Sequence, residues 1–117
     1  MKINLIVIRT KDIDQLANFY QKLGIQFDYH QHGKGPFHYA AELDGTVFEI
    51  YPLLKNQAQP DHSLRLGFDV EKLDELITTL KMDHIKILKA PISSEFDYVA
   101  VVKDLDGRKI ELREKEK

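Results

Sequence analysis

Two glutamates occupy equivalent places in this chain. Glu49 closes the stretch Leu43-Asp44-Gly45-Thr46-Val47-Phe48, and Glu111 closes Leu105-Asp106-Gly107-Arg108-Lys109-Ile110. Carboxylates that converge on one cavity can act as general bases or ligate a divalent ion. They can also clamp a planar cation between them. A cation stands nearby in the pattern: Arg65 matches Leu5 at an offset of 60 residues, while Glu111 matches Glu49 at 62. Side chains of a strand alternate between faces. Over Thr46–Tyr51, Phe48 and Ile50 share one face and Val47, Glu49 and Tyr51 the other; over Arg108–Arg113, Ile110 and Leu112 oppose Lys109, Glu111 and Arg113. The alternation in Ser63–Val70 sets Arg65, Gly67 and Asp69 against four apolar residues. Leu5, Glu49, Arg65 and Glu111 are therefore expected to look into one concavity.

The elements that position them form a repeat. Besides the two Leu-Asp-Gly turns, Ile13, Leu16, Ala17 and Tyr20 share the spacing of Leu73, Leu76, Ile77 and Leu80. That spacing marks one face of a helix, and two matches in the same order indicate a duplication. Each copy reads as a strand, a helix and three strands. In the first, a strand over residues 2–9 precedes a helix capped by Asp12 and stopped by Gly24; residues 25–32, 37–43 and 46–51 follow as extended segments, with Asp44-Gly45 as a hairpin turn. In the second, the spacing predicts a strand over 63–70, a helix over 71–82 and strands near 84–89, 97–103 and 108–113. Glu114 to Lys117 reads as a solvated tail. The fold class is α+β: two tandem βαβββ modules, residues 1–54 and 62–117, joined by a polar linker over 55–61 within one domain, their curved mixed sheets disposed around a cleft.

Other residues admit two readings each. His30 and His32 share a strand face and could chelate, although a half-exposed strand beside a glycine turn is the preferred reading. His62 lies near Arg65 but at the opposite parity. Tyr39, Tyr51 and Tyr98 could wall a small-molecule pocket or belong to core and interface. Glu49 and Glu111 could be a structural pair without chemistry.

Composition excludes several functions. With 17 basic and 19 acidic residues the net charge is −2, so the basic face that nucleic acid demands is missing. No apolar run approaches the roughly 20 residues of a membrane span. The absence of cysteine rules out disulfides and thiolate chemistry and fits a cytoplasmic address.

Asp12-Ile13, then Phe19-Tyr20-Gln21-Lys22-Leu23-Gly24-Ile25, together with the two Leu-Asp-Gly…Glu hairpins, resembles the vicinal oxygen chelate superfamily of glyoxalase I, ring-cleaving dioxygenases and bleomycin-resistance proteins. The resemblance covers nearly the whole chain and implies a metal held at the positions of Leu5, Glu49, Arg65 and Glu111. Leucine has no donor atom, and the guanidinium has no lone pair to offer. The expectation is therefore no metal cofactor, with Arg65 in the place of the lost ion and bridging Glu49 and Glu111; removing such a buried cation would cost about 3–5 kcal/mol. Arg9 matches an arginine that helps to hold the glutathione carboxylate in glyoxalase I, although a strand-end surface cation is the preferred reading. The resemblance implies a homodimer that binds a small organic molecule, with Arg65, Arg9, Tyr51, Arg113 and Tyr39 as binding residues. Two alternatives remain: a metal-dependent lyase or isomerase with Glu49 or Glu111 as base, and a structural dimer with a closed cleft.

Overall fold

The computed structural model describes residues 1–115, the last of them by its backbone alone. The chain divides into two compact units, Met1–Asp61 and His62–Lys117. In the first, β1 (Leu5–Thr10), α1 (Ile13–Lys22), β2 (Asp28–His30), β3 (His38–Leu43) and β4 (Thr46–Pro52) give a sheet of order β1-β4-β3-β2. In the second, β5 (Leu66–Asp69), α2 (Leu73–Met82), β6 (Ile87–Ser93), β7 (Asp97–Lys103) and β8 (Lys109–Lys115) give the order β5-β8-β7-β6. In both, the first and last strands pair in parallel across the helical crossover and the remaining pairs are antiparallel. The two tandem βαβββ modules expected from the repeat are present as two mixed four-stranded sheets.

Each helix buries its apolar stripe on its own sheet. Leu16, Ala17, Phe19 and Tyr20 of α1 are buried, and the Tyr20 ring meets Phe19 and Phe48 edge-on at 5.0 and 5.2 Å. Leu73, Ile77 and Leu80 of α2 are buried in a unit whose sheet buries Ala100, Val102, Ile110 and Leu112. The faces of β4 and β8 are those expected from alternation.

The helix starts differ. Asp12 caps α1, its carboxylate accepting from the Gln15 amide at 3.1 Å, and Gly24 ends the helix at φ +112°. Ahead of α2, Lys72 is left-handed at φ +51° and supplies no side-chain cap. The orphan amide of Leu73 donates instead to the Glu114 carboxylate at 2.7 Å, from the far end of β8. Glu114 is thus a structural residue and not part of a solvated tail, which corrects that expectation; Glu116 and Lys117 lie outside the described residues. Glu114→Ala should destabilise the chain by about 1 kcal/mol, the usual value of a helix cap, and Glu114→Gln by less because the acceptor survives. Urea unfolding of the two variants checks the order.

The two Asp-Gly turns also differ. Asp44 and Gly45 both have positive φ, +50° and +87°, as a two-residue type I′ hairpin requires. The second is a longer loop built around Asp104. Its side chain accepts from the amides of Asp106 and Arg108 at 2.9 and 3.0 Å, and it faces the buried Arg108 guanidinium at 3.1 Å. Sequence repetition here hides two different turns.

Candidate functional site

Register places Leu5, Arg9, Glu49 and Tyr51 of the first unit on the sheet face away from α1. Glu49 lies between Val7 on β1 and Ala40 on β3, and Tyr51 lies beside Arg9. Leu5, Val7 and Val47 are 52%, 38% and 36% exposed, an apolar strip open to solvent beside the half-buried Glu49. An apolar face of this kind, edged by polar groups, is the usual sign of a binding surface.

His38 organises the other end of this face. It is fully buried, and its ring stacks on Tyr51 with centroids 4.1 Å apart. Its Nδ1 lies 3.2 Å from the Pro36 carbonyl. A carbonyl only accepts, so Nδ1 carries the proton and Nε2 is the acceptor. Nε2 takes the Tyr51 hydroxyl hydrogen at 3.2 Å and stands 3.5 Å from Glu49 Oε2. His30 pairs with His38 across β2 and β3, and the His30, His32 and His38 rings lie 4.5–5.0 Å apart. One donor atom from each of His30, His32, His38 and Glu49 can be chosen so that all four lie within 4.8 Å of one another. Arg9 donates from Nη1 to the Pro52 carbonyl at 3.0 Å, with its guanidinium carbon 5.1 Å from the Tyr51 ring centre. Desolvation and the Glu49 carboxylate push the Tyr51 phenol up, partly offset by Arg9.

Tyr39 sits elsewhere. It opposes Ile50, so it belongs to the helix side, and its hydroxyl donates to Asp14 at 2.6 Å. Tyr98 makes the matching bond to Asp74 at 2.8 Å in the second unit. The bond to Asp14 is the main reason that the Tyr39 phenol is pushed up to about 12. An unfolded tyrosine ionises near 10. The neutral phenol is thus the form favoured by folding. Its contribution is complete below about pH 10 and is lost as pH rises towards about 12. Tyr39→Phe should flatten stability against pH in that window, measured by urea unfolding at stepped pH.

In the second unit, Glu111 lies between Gly67 on β5 and Val101 on β7, exposed, with its Oε2 3.5 Å from where a Cβ on Gly67 would stand. Arg113 is engaged by Asp69 at 2.8 Å and by Asp97 at 3.6 Å, and these carboxylates raise its pKa further. Arg65 is exposed and precedes β5, which begins at Leu66 and not at Ser63. It makes no ion pair with Glu111 among the described residues.

Sequence reasoning gave His38 no role, although His-x-His followed by a Gly-x-Gly-Pro turn and a third histidine is the pattern that a hairpin would fold into one cluster. It also preferred a half-exposed strand for His30 and His32; His30 is indeed half-buried and His32 exposed, but the packing of both rings against His38 went unforeseen.

The glyoxalase/bleomycin resistance protein/dioxygenase superfamily model matches residues 2–112. Comparison with curated proteins returns no match. Among solved structures, a glyoxalase/dioxygenase from Nostoc punctiforme superposes with TM-score 0.79 at 20% identity, over 99% of this chain and 92% of its own. An antibiotic-binding protein from a Streptomyces species superposes with TM-score 0.77 at 18% identity, over 99% and 97%. A Vibrio cholerae integron cassette protein gives 0.72 at 21%, over 97% and 94%. At these identities the likeness is one of fold.

Proposed function

Since this chain belongs to the glyoxalase/bleomycin resistance protein/dioxygenase superfamily, we propose that it binds a small, partly apolar organic molecule on the sheet face that carries Glu49, without an ion at the four repeat-related positions. The observation that carries this reading is the exposed strip of Leu5, Val7 and Val47 beside Glu49 and Tyr51. It supplies the apolar floor and the few convergent polar groups of a ligand site. The antibiotic-binding neighbour supports the ligand class. The donor chemistry of the four positions does not fit the family's ion, because Leu5 offers no donor and Arg65 brings a positive charge. Glu49 and Tyr51 serve here as the polar contacts of the ligand, Glu49 as a contact rather than as a base. The working form in this reading is a homodimer, tested by sedimentation equilibrium.

A thermal-shift screen with bleomycin and a panel of small aromatic antibiotics tests the binding. A ligand at 100 times its dissociation constant stabilises by about 2.7 kcal/mol. The shift should vanish in Leu5→Asp and Val7→Asp, whose exposed positions spare the core. A panel that produces no shift, or a shift that survives both substitutions, overturns the reading.

A further inference from the structure

We propose that the first unit holds a transition-metal ion, zinc by preference, between His30, His32, His38 and Glu49. This site is separate from the four repeat-related positions and shares only Glu49 with them. It does not depend on the small-molecule reading. Three imidazoles and one carboxylate make the donor set of a closed four-coordinate zinc site. With zinc–ligand bonds of about 2.0–2.2 Å, neighbouring donors of a tetrahedron stand roughly 3.4 Å apart. His38 Nε2 and Glu49 Oε2 already stand at 3.5 Å, and the full set lies within 4.8 Å, so small side-chain rotations complete it.

Two further observations point to a ligand. His30 Nε2 is buried and has no hydrogen-bond partner. Such a group is costly to leave unsatisfied. His38 has its proton fixed on Nδ1 by the Pro36 carbonyl, which aims the Nε2 lone pair at the carboxylate. A proton or a metal ion placed between Nε2 and the carboxylate would satisfy both groups. The Pro36 carbonyl is also the kind of outer partner that orients a metal-bound imidazole. When the ion binds, the Tyr51 hydroxyl gives up Nε2. With four protein donors the ion has no open position, so its role is structural. It ties His30 and His32, on one side of the Gly33–Gly35 turn, to His38 on the other and to β4.

The test is calorimetric titration of the chelator-treated full chain with zinc chloride, with cobalt(II) absorption as a second readout of tetrahedral nitrogen and oxygen ligation. One ion per chain is expected, with a rise in Tm on binding. His30→Ala and His32→Ala should each weaken binding by at least about 100-fold, more than the 10–100-fold of losing an outer partner. His32 is exposed, so its variant folds even if others do not. His62→Ala should leave binding unchanged. Absence of binding, affinity indifferent to His30→Ala and His32→Ala, or loss of the ion in His62→Ala would each overturn the proposal. Zinc binding is also scored on Leu5→Asp, which keeps all four donors, and organic-ligand shifts on His32→Ala, which keeps the apolar strip, so failure of one site is distinguishable from failure of the other.

Discussion

Asp104→Ala is expected to destabilise the chain by about 3–5 kcal/mol in urea unfolding, as breaking a buried ion pair does. Asp104 and Arg108 are 5% and 1% exposed. The Asp104 carboxylate accepts from two backbone amides and from the guanidinium, so the substitution removes the scaffold of the loop between β7 and β8 along with a countercharge. Asp106 still reaches Arg108 Nη1 at 2.9 Å, but it cannot replace those backbone bonds. Asp104→Asn keeps the shape and an acceptor oxygen and should lose about half as much, since hydrogen bonds to a charged group are worth roughly twice neutral ones. Equal losses for the two variants would show that the charge, and not the loop, sets the cost.

Phe48→Ala should cost a similar amount, about 3–5 kcal/mol, through the cavity that it leaves. Phe48 is 1% exposed and packs between Tyr20 of α1 and Phe27, at ring separations of 5.2 and 6.1 Å. It is the point where α1 grips the centre of its sheet. Phe48→Leu fills most of the volume and should recover more than half of the loss. The adjacent Val47→Ala, on the solvent side of the same strand, should change stability by less than about 0.5 kcal/mol. Chemical denaturation of the three variants reads this contrast between faces directly.

The modules were legible because burial imposes period on sequence. Phe48 and Ile50, like Ile110 and Leu112, must alternate if one face meets a helix, and Leu16, Ala17 and Tyr20 must recur at helical spacing. Asp12 and Gly24 acted as local signals and needed no tertiary context. What escaped was set by long-range geometry. Nothing near Lys72 announces that Glu114 caps α2. Nothing in Leu-Asp-Gly separates a tight hairpin from a loop pinned by Asp104 and Arg108. β6 begins at Ile87 and carries register shifts against β7, which blur its alternation and hid its start. At the site, strand parity placed Glu49 and Tyr51 on one face. It could not place His38 under Tyr51, because that depends on how β3 pairs with β4 and on the turn before it.

The two helix starts have a consequence for synthesis on the ribosome. α1 carries its own cap, since Asp12 leaves the ribosome three residues ahead of the Gln15 amide that it accepts from. α2 must wait for a carboxylate that emerges 41 residues later. During vectorial synthesis the second helix therefore exists for most of its early life with a frayed first turn. Nascent chains arrested before Glu114 should expose that turn to protease, and chains released just after it should not.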